Sequence, residues 1–417
     1  MKNQSHMIIK AVTCILAGLI ASSCYFSSER DNVNDPASGD HSFLWYETGI
    51  EALAAGINEG DALGYSAAVD GEYAVVGARY YDVGTYTNQG AAFVYRKDGT
   101  EWIYDAMLKT GTNTSPAYFG FSVDTDGTRI IVGAQMQTHV NPDCDGMAYI
   151  YERTTGGWVL EKGLAEWDGL LYGSSVAIDG DYAVVGMPGQ DPIPVESHVY
   201  IYYRDPSTGW GLQQTLSGLH GEYYYFGSSV AIDGDYAVIG STDSGVTYVY
   251  KRSGTTWTLF QELSSGSTND SFGNKVAIEG TTAVVAAYFD DENGTDAGAV
   301  YVFQLNGVSG ATGVKLCPDD IAVEDYFGTS VGISGEYIIA GSPFDDDRGS
   351  GSGSVYLFRL LNGSWEQYQK ITSDTGTVGD NFGYSVAIDG AYGITGAIKR
   401  DVGSTMDAGG FSTLYFY

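Results

Sequence analysis

Short apolar runs of period two, broken by glycine and aspartate-glycine pairs, fill the chain from about residue 60 to its end, and one such unit is Tyr225 to Gly240, Y-F-G-S-S-V-A-I-D-G-D-Y-A-V-I-G. Its β-branched residues favour a strand, and Asp233-Gly234 supplies the two positive-φ residues of a tight hairpin turn before Asp235 to Gly240 returns. Near-copies start at Leu63-Gly64, Phe119-Gly120, Tyr172-Gly173, Phe226-Gly227, Phe272-Gly273, Phe327-Gly328 and Phe382-Gly383, with steps of 56, 53, 54, 46, 55 and 55 residues. An aromatic-rich third strand follows each hairpin, as at Val199-Tyr200-Ile201-Tyr202 and Val355-Tyr356-Leu357-Phe358. A turn tryptophan then recurs at Trp102, Trp158, Trp210, Trp257 and Trp365, ahead of a fourth strand. A lone hairpin cannot bury its faces. Seven four-strand units predict an all-β, seven-bladed β-propeller of four-stranded antiparallel blades.

The chain stops at Tyr417, after only the third strand of the last unit. The segment Phe43 to Leu53 has the pattern of a displaced fourth strand and is expected to complete the last blade and close the ring. The propeller therefore spans 43–417. Ahead of it, residues 1–23 carry Lys2, Lys10 and an apolar run ending in Ala21-Ser22-Ser23 before Cys24, which predicts a cleaved export signal. Small residues directly before a cysteine resemble the bacterial lipoprotein signal, which implies acylation at Cys24, with ordinary secretion as the alternative. Tyr25 stands where such proteins often carry an aspartate for inner-membrane retention, so an outer-membrane or cell-surface address is expected. Residues 24–42 are polar and without apolar periodicity, a flexible tether.

Charge changes the picture next. The formal net charge is −32, and loss of residues 1–23 removes two lysines and no acid. Such a field repels phosphate backbones, so nucleic acid is not an expected partner. In a propeller the loop after strand 2 and the loop joining strand 4 to the next blade share one face. The first set carries Asp82, Asp143, Asp145, Asp191, Asp243, Asp290, Asp291, Asp345, Asp346, Asp347, Asp401 and Asp407, and the second Asp61, Asp270, Asp325 and Asp380. That face is the expected binding surface, since loops carry function on rigid scaffolds. Each aspartate alone is also accounted for by turn-forming bonds to its own backbone.

Phe226-Gly227 with Val238-Ile239-Gly240, and Phe327-Gly328 with Ala340-Gly341-Ser342-Pro343, resemble the FG-GAP repeats of integrin α-subunit propellers and their bacterial relatives, over residues 43–417. That resemblance implies calcium held in the loop between strands 1 and 2. Here that loop is cut to pairs such as Asp70-Gly71 and Asp389-Gly390, too short to present six or more oxygens, so the family's calcium role does not carry over and no cofactor is expected. Two loops on the other face, containing Asp290-Asp291 and Asp345-Asp346-Asp347, remain open as cation sites, with solvated acidic turns as the alternative.

No His-x-x-x-His, Cys-x-x-Cys, nucleophile elbow or P-loop occurs. The chain has 33 tyrosines; those of the third strands alternate with aliphatics and are expected to pack between blades. Tyr80-Tyr81 and Tyr223-Tyr224-Tyr225, together with Asp345 and Asp347, are the expected contacts on the acidic face. The chain thus reads as a monomeric, surface-anchored binding or adhesion module, not an enzyme, that meets a protein or glycan; the alternative is a carbohydrate-active propeller such as a polysaccharide lyase.

Overall fold

The computed structural model of the chain describes residues 45–50, 56–99, 101–112, 114–138, 145–166, 170–189, 197–219, 225–242, 244–267, 270–310, 313–401 and 407–416. The signal, the tether, Cys24, Tyr223 and Tyr224 lie outside them. These residues form seven four-stranded antiparallel sheets, the blades of a propeller, with no helix among them.

Blade 4 shows why the pattern folds this way. Its inner strand, Phe226–Asp233, turns at Gly234 (φ 56°) into Tyr236–Ser241, whose residues after Tyr236 are all buried because neighbouring blades cover both faces. The third strand, Val246–Ser253, pairs with the outer strand, Thr256–Ser264, through a bulge at Val249/Tyr250. Blades 1, 2, 3 and 6 carry a bulge at the matching place. The outer strand alternates buried and exposed, as expected for the one strand that faces water.

The core lies between blades. Phe226, Tyr248, Tyr250 and Trp257 of blade 4 pack on Val184, Val199, Ile201 and Leu216 of blade 3. The third-strand tyrosines Tyr95, Tyr200, Tyr248 and Tyr356 are fully buried, so they are structural. The turn tryptophans lie in the outer strands, where the indole N–H of Trp257 donates to Gln213 of the preceding blade (3.1 Å) and that of Trp210 to Glu161 (3.0 Å).

Two hydrogen-bonded rings tie the blades. Near one face, an inner-strand serine hydroxyl donates to the glycine carbonyl that opens the next blade: Ser66 to Gly120, Ser122 to Gly173, Ser175 to Gly227, Ser229 to Gly273, Ser330 to Gly383 and Ser385 to Gly64, at 2.7–2.9 Å. Near the other face, hairpin side chains accept the backbone N–H of the next hairpin's glycine: Asp389 from Gly71 (2.8 Å), Asp179 from Gly234 (2.7 Å), Asp233 from Gly280, Glu279 from Gly335 (2.6 Å) and Ser334 from Gly390 (3.0 Å). Asp124 serves the same end by accepting the N–H of Ile178.

At the seam, Trp45–Ile50 lies antiparallel beside Gly410–Phe416, with Trp45 opposite Phe416 and Ile50 opposite Ser412. The sheet order there is Trp45–Ile50, Gly410–Phe416, Tyr392–Ala397, Phe382–Asp389. Residues 43, 44 and 51–53 of the expected closing strand lie outside the described residues.

Candidate functional site

The inner strands line a central cavity of about 1300 Å³. Its deeper wall is apolar, built from Val69, Ile232, Ile278, Ile333 and Ile388, one residue before the hairpin acid or serine of their blades. Toward the loop face the wall divides in two, and the residue after each landmark glycine sets the division. Blades 7, 1 and 2 place Tyr384, Tyr65 and Phe121 there, in an arc with ring centroids 5.3 Å (Tyr65–Tyr384) and 5.1 Å (Tyr65–Phe121) apart. Blades 3 to 6 place Ser174, Ser228, Asn274 and Thr329 there, all lining the cavity.

Arg79 stiffens the aromatic arc, its guanidinium carbon 3.9 Å from the Tyr65 ring centroid and 4.3 Å from that of Tyr80. At the rim of blades 5 and 6, Tyr288, Phe289, Tyr326 and Phe344 form a second aromatic cluster, with Tyr326 5.2 Å from Phe344 and 5.8 Å from Phe289. Phe344 is 41 % exposed, Tyr225 40 % and Val323 59 %, so the rim presents large apolar side chains to water. Lys275 also lines the cavity and is exposed to it.

The residues expected at this face fall into separate environments. Tyr225 stands at the cavity rim in the left-handed region (φ 66°), its N–H donating to Pro188 (2.7 Å). Tyr80 receives a bond from Arg79 and stacks edge-on against Tyr118, while Tyr81 is half-buried against Phe93. Asp347 is exposed, whereas Asp345 is 2 % exposed and accepts the Tyr356 hydroxyl (2.8 Å). Tyr65, Phe121, Tyr384 and Lys275 were not singled out in the sequence, although the column of residues after each landmark glycine, Tyr, Phe, Ser, Ser, Asn, Thr, Tyr, carries the division between the two walls.

The two acidic loops considered for a cation each hold a lysine. Lys315 Nζ lies 2.8 Å from Asp290 and 2.5 Å from Glu292, and Tyr301 donates to the other Asp290 oxygen (2.8 Å). Lys370 Nζ lies 2.8 Å from Asp345, 2.6 Å from Asp347 and 2.8 Å from Asp320. Burial alone would lower the pKa of both ammonium groups; the carboxylates outweigh it and hold both above the ordinary lysine value. Asp291 and Asp346 instead accept backbone N–H groups five residues on, from Asp296 (2.8 Å) and Gly351 (2.7 Å), and so shape their own loops. Among the described residues no group of three or more His, Cys, Asp or Glu is placed to hold a metal ion.

Asp61 and Asp325, before their landmark glycines, are buried, 3 % and 5 % exposed. Burial pushes both carboxyls up to about 6, against the lowering effect of the N–H groups of Asn58 and Ala322 that they accept. A raised carboxyl pKa means the fold prefers the neutral acid, so stability is gained as the pH falls through the folded value toward the unfolded one near 4. Calorimetry is expected to give a higher Tm at pH 5 than at pH 8, from roughly 1 kcal/mol at each site. Glu161, held below the usual carboxylate range by Arg204 and Trp210 despite burial, opposes this only below about pH 4. A Tm that is flat or falls between pH 8 and pH 5 would contradict the buried-acid account.

The FG-GAP repeat family matches this chain at residues 210–251, 257–303, 312–358 and 365–411. Each match runs from the outer strand of one blade into the third strand of the next. No curated protein matches the chain.

Proposed function

Because the chain is an FG-GAP repeat seven-bladed β-propeller, we propose that it is a binding module, working without catalysis, whose partner docks over the mouth of the central cavity. The observation that carries this is the exposed rim of Tyr225, Val323 and Phe344 around a cavity with one aromatic and one polar wall. Large apolar groups held in water beside positioned hydroxyls are the surface composition that binding sites use. The partner is a protein or a glycan at the cell surface. Nucleic acid is disfavoured by the net charge of −32. Lys315 and Lys370 supply the positive charge that the acidic loops need, so the module works without calcium.

The module is held at the membrane as a monomer by acylation of Cys24, with residues 24–42 as the tether. The test is an array of glycans and matrix proteins probed with the full chain, with calcium and with chelator. Tyr225→Ala or Phe344→Ala should weaken binding at least tenfold, while Leu212→Ala on the outer edge should not, and Cys24→Ser should release the chain from membranes. No binding on any array, or release of unsaturated sugars from a polysaccharide panel, would overturn the reading.

A further inference from the structure

One inter-blade seam departs from the other six. Where six blades carry serine, blade 5 carries Lys275, and where six blades carry glycine on the second strand, blade 5 carries Ala286. The two changes are coupled. At Gly77, Gly133, Gly186, Gly240, Gly341 and Gly396 an added Cβ would meet the next blade's glycine carbonyl oxygen at 1.8–2.1 Å, so glycine is what lets that carbonyl reach the serine. In the fifth seam the serine is gone, the methyl of Ala286 fits 3.2 Å from where a Cβ on Gly328 would stand, and the Asn274 amide donates to the Gly328 carbonyl (3.1 Å). The fold is thereby satisfied without the Lys275 side chain.

That side chain lines the central cavity, and among the described residues its ammonium makes no hydrogen bond or ion pair. Buried Lys315 and half-buried Lys370 are both engaged by carboxylates. Although Lys275 is open to the cavity, the ring of protein around it partly desolvates the ammonium and lowers its pKa, so an incoming anion would offset that cost. It shares the cavity lining with the hydroxyl and amide side chains of Ser174, Ser228, Asn274 and Thr329 and with the rings of Tyr65 and Phe121. One cation, several hydroxyl and amide groups and a flat aromatic face match a pyranose ring with one carboxylate. An acidic peptide fits less well, because Glu324 and Asp346 line the same mouth and oppose repeated negative charge.

We propose that Lys275 anchors the carboxylate of a uronate residue, at the end of a glycan chain, inside the cavity mouth. This rests on the reading of the mouth as a binding surface. The test uses the full chain with lysines labelled as ¹³C-dimethylamines, the Lys275 signal being identified by its loss in Lys275→Ser. A galactotetraose ending in a single galacturonate should shift that signal, and uncharged galactotetraose should bind at least tenfold more weakly. Lys275→Ser should weaken binding of that singly charged tetrasaccharide at least tenfold, and Lys275→Arg should keep it within about threefold. Lys275→Ser combined with Ala286→Gly rebuilds the seam used by the other blades, so loss of folding cannot explain a loss of binding.

No shift, equal affinity in Lys275→Ser, or tighter binding of a glutamate-rich hexapeptide would each overturn the assignment. Array binding that persists in Lys275→Ser but is lost in Phe344→Ala would overturn it while leaving the binding module intact. Array binding lost in neither would remove both.

Discussion

Gly341→Ala is expected to destabilise the propeller by about 3–5 kcal/mol, one methyl group notwithstanding. Gly341 does not have a positive φ, so alanine is compatible with its backbone and the cost lies in the space alone. The new Cβ would stand 1.8 Å from the carbonyl oxygen of Gly383 in the next blade, a backbone atom that cannot rotate away. Blade 7 must move outward, and the bond from Ser330 to that same oxygen (2.9 Å, buried) is lost with it. Ser330→Ala alone leaves the packing in place and should cost only about 1 kcal/mol. Denaturant titration of the two variants checks this; a Gly341→Ala value no larger than that of Ser330→Ala would show the seam to be softer than the geometry says. In the fifth seam, where alanine is native at 286 and buried, Ala286→Gly should cost only about 1 kcal/mol.

Lys315→Met should cost about 3–5 kcal/mol at neutral pH, because it strands a buried carboxylate. Lys315 and Asp290 are 3 % and 4 % exposed in their side chains. Methionine keeps most of the stem volume and removes only the charge. Asp290 would keep the Tyr301 hydroxyl and the Glu292 N–H (3.1 Å), but no cation. One condition should restore the variant selectively. Millimolar calcium should raise the Tm of the variant, where Asp290 and Glu292 face an emptied site, and leave the wild type unchanged. A wild type stabilised by calcium as much as the variant would mean that the lysine does not serve as the loop's cation.

Much of this protein is legible in its sequence because a propeller is a local repeat. The Phe-Gly landmark, the Asp-Gly turn and the aromatic third strand each act within one hairpin or its neighbour, so a period of about 50 residues already dictates seven sheets. The acidic residues of the loop face were equally visible, but their partners were not. Lys315 lies 25 residues after Asp290, and Lys370 lies 25 after Asp345, on the outer strand of the same blade; only folding of the blade brings each pair together. The same holds for the carboxylates of the hairpin turns. In the sequence Asp233 is a turn residue; in the structure it accepts the N–H of Gly280 across the seam.

The sequence by itself determined the number of blades, their strand order and the tyrosines and tryptophans between them, because hydrophobic period and turn chemistry operate over a few residues. The tertiary structure alone decided which side chains meet in the centre. Tyr384, Tyr65 and Phe121 are up to 319 residues apart in sequence yet adjacent around the cavity, since closing the ring sets the last blade beside the first. It also set Lys275 apart: as one residue in a strand it is unexceptional, and as the one break in a ring of serines it faces the cavity while Asn274 bonds the Gly328 carbonyl in its place.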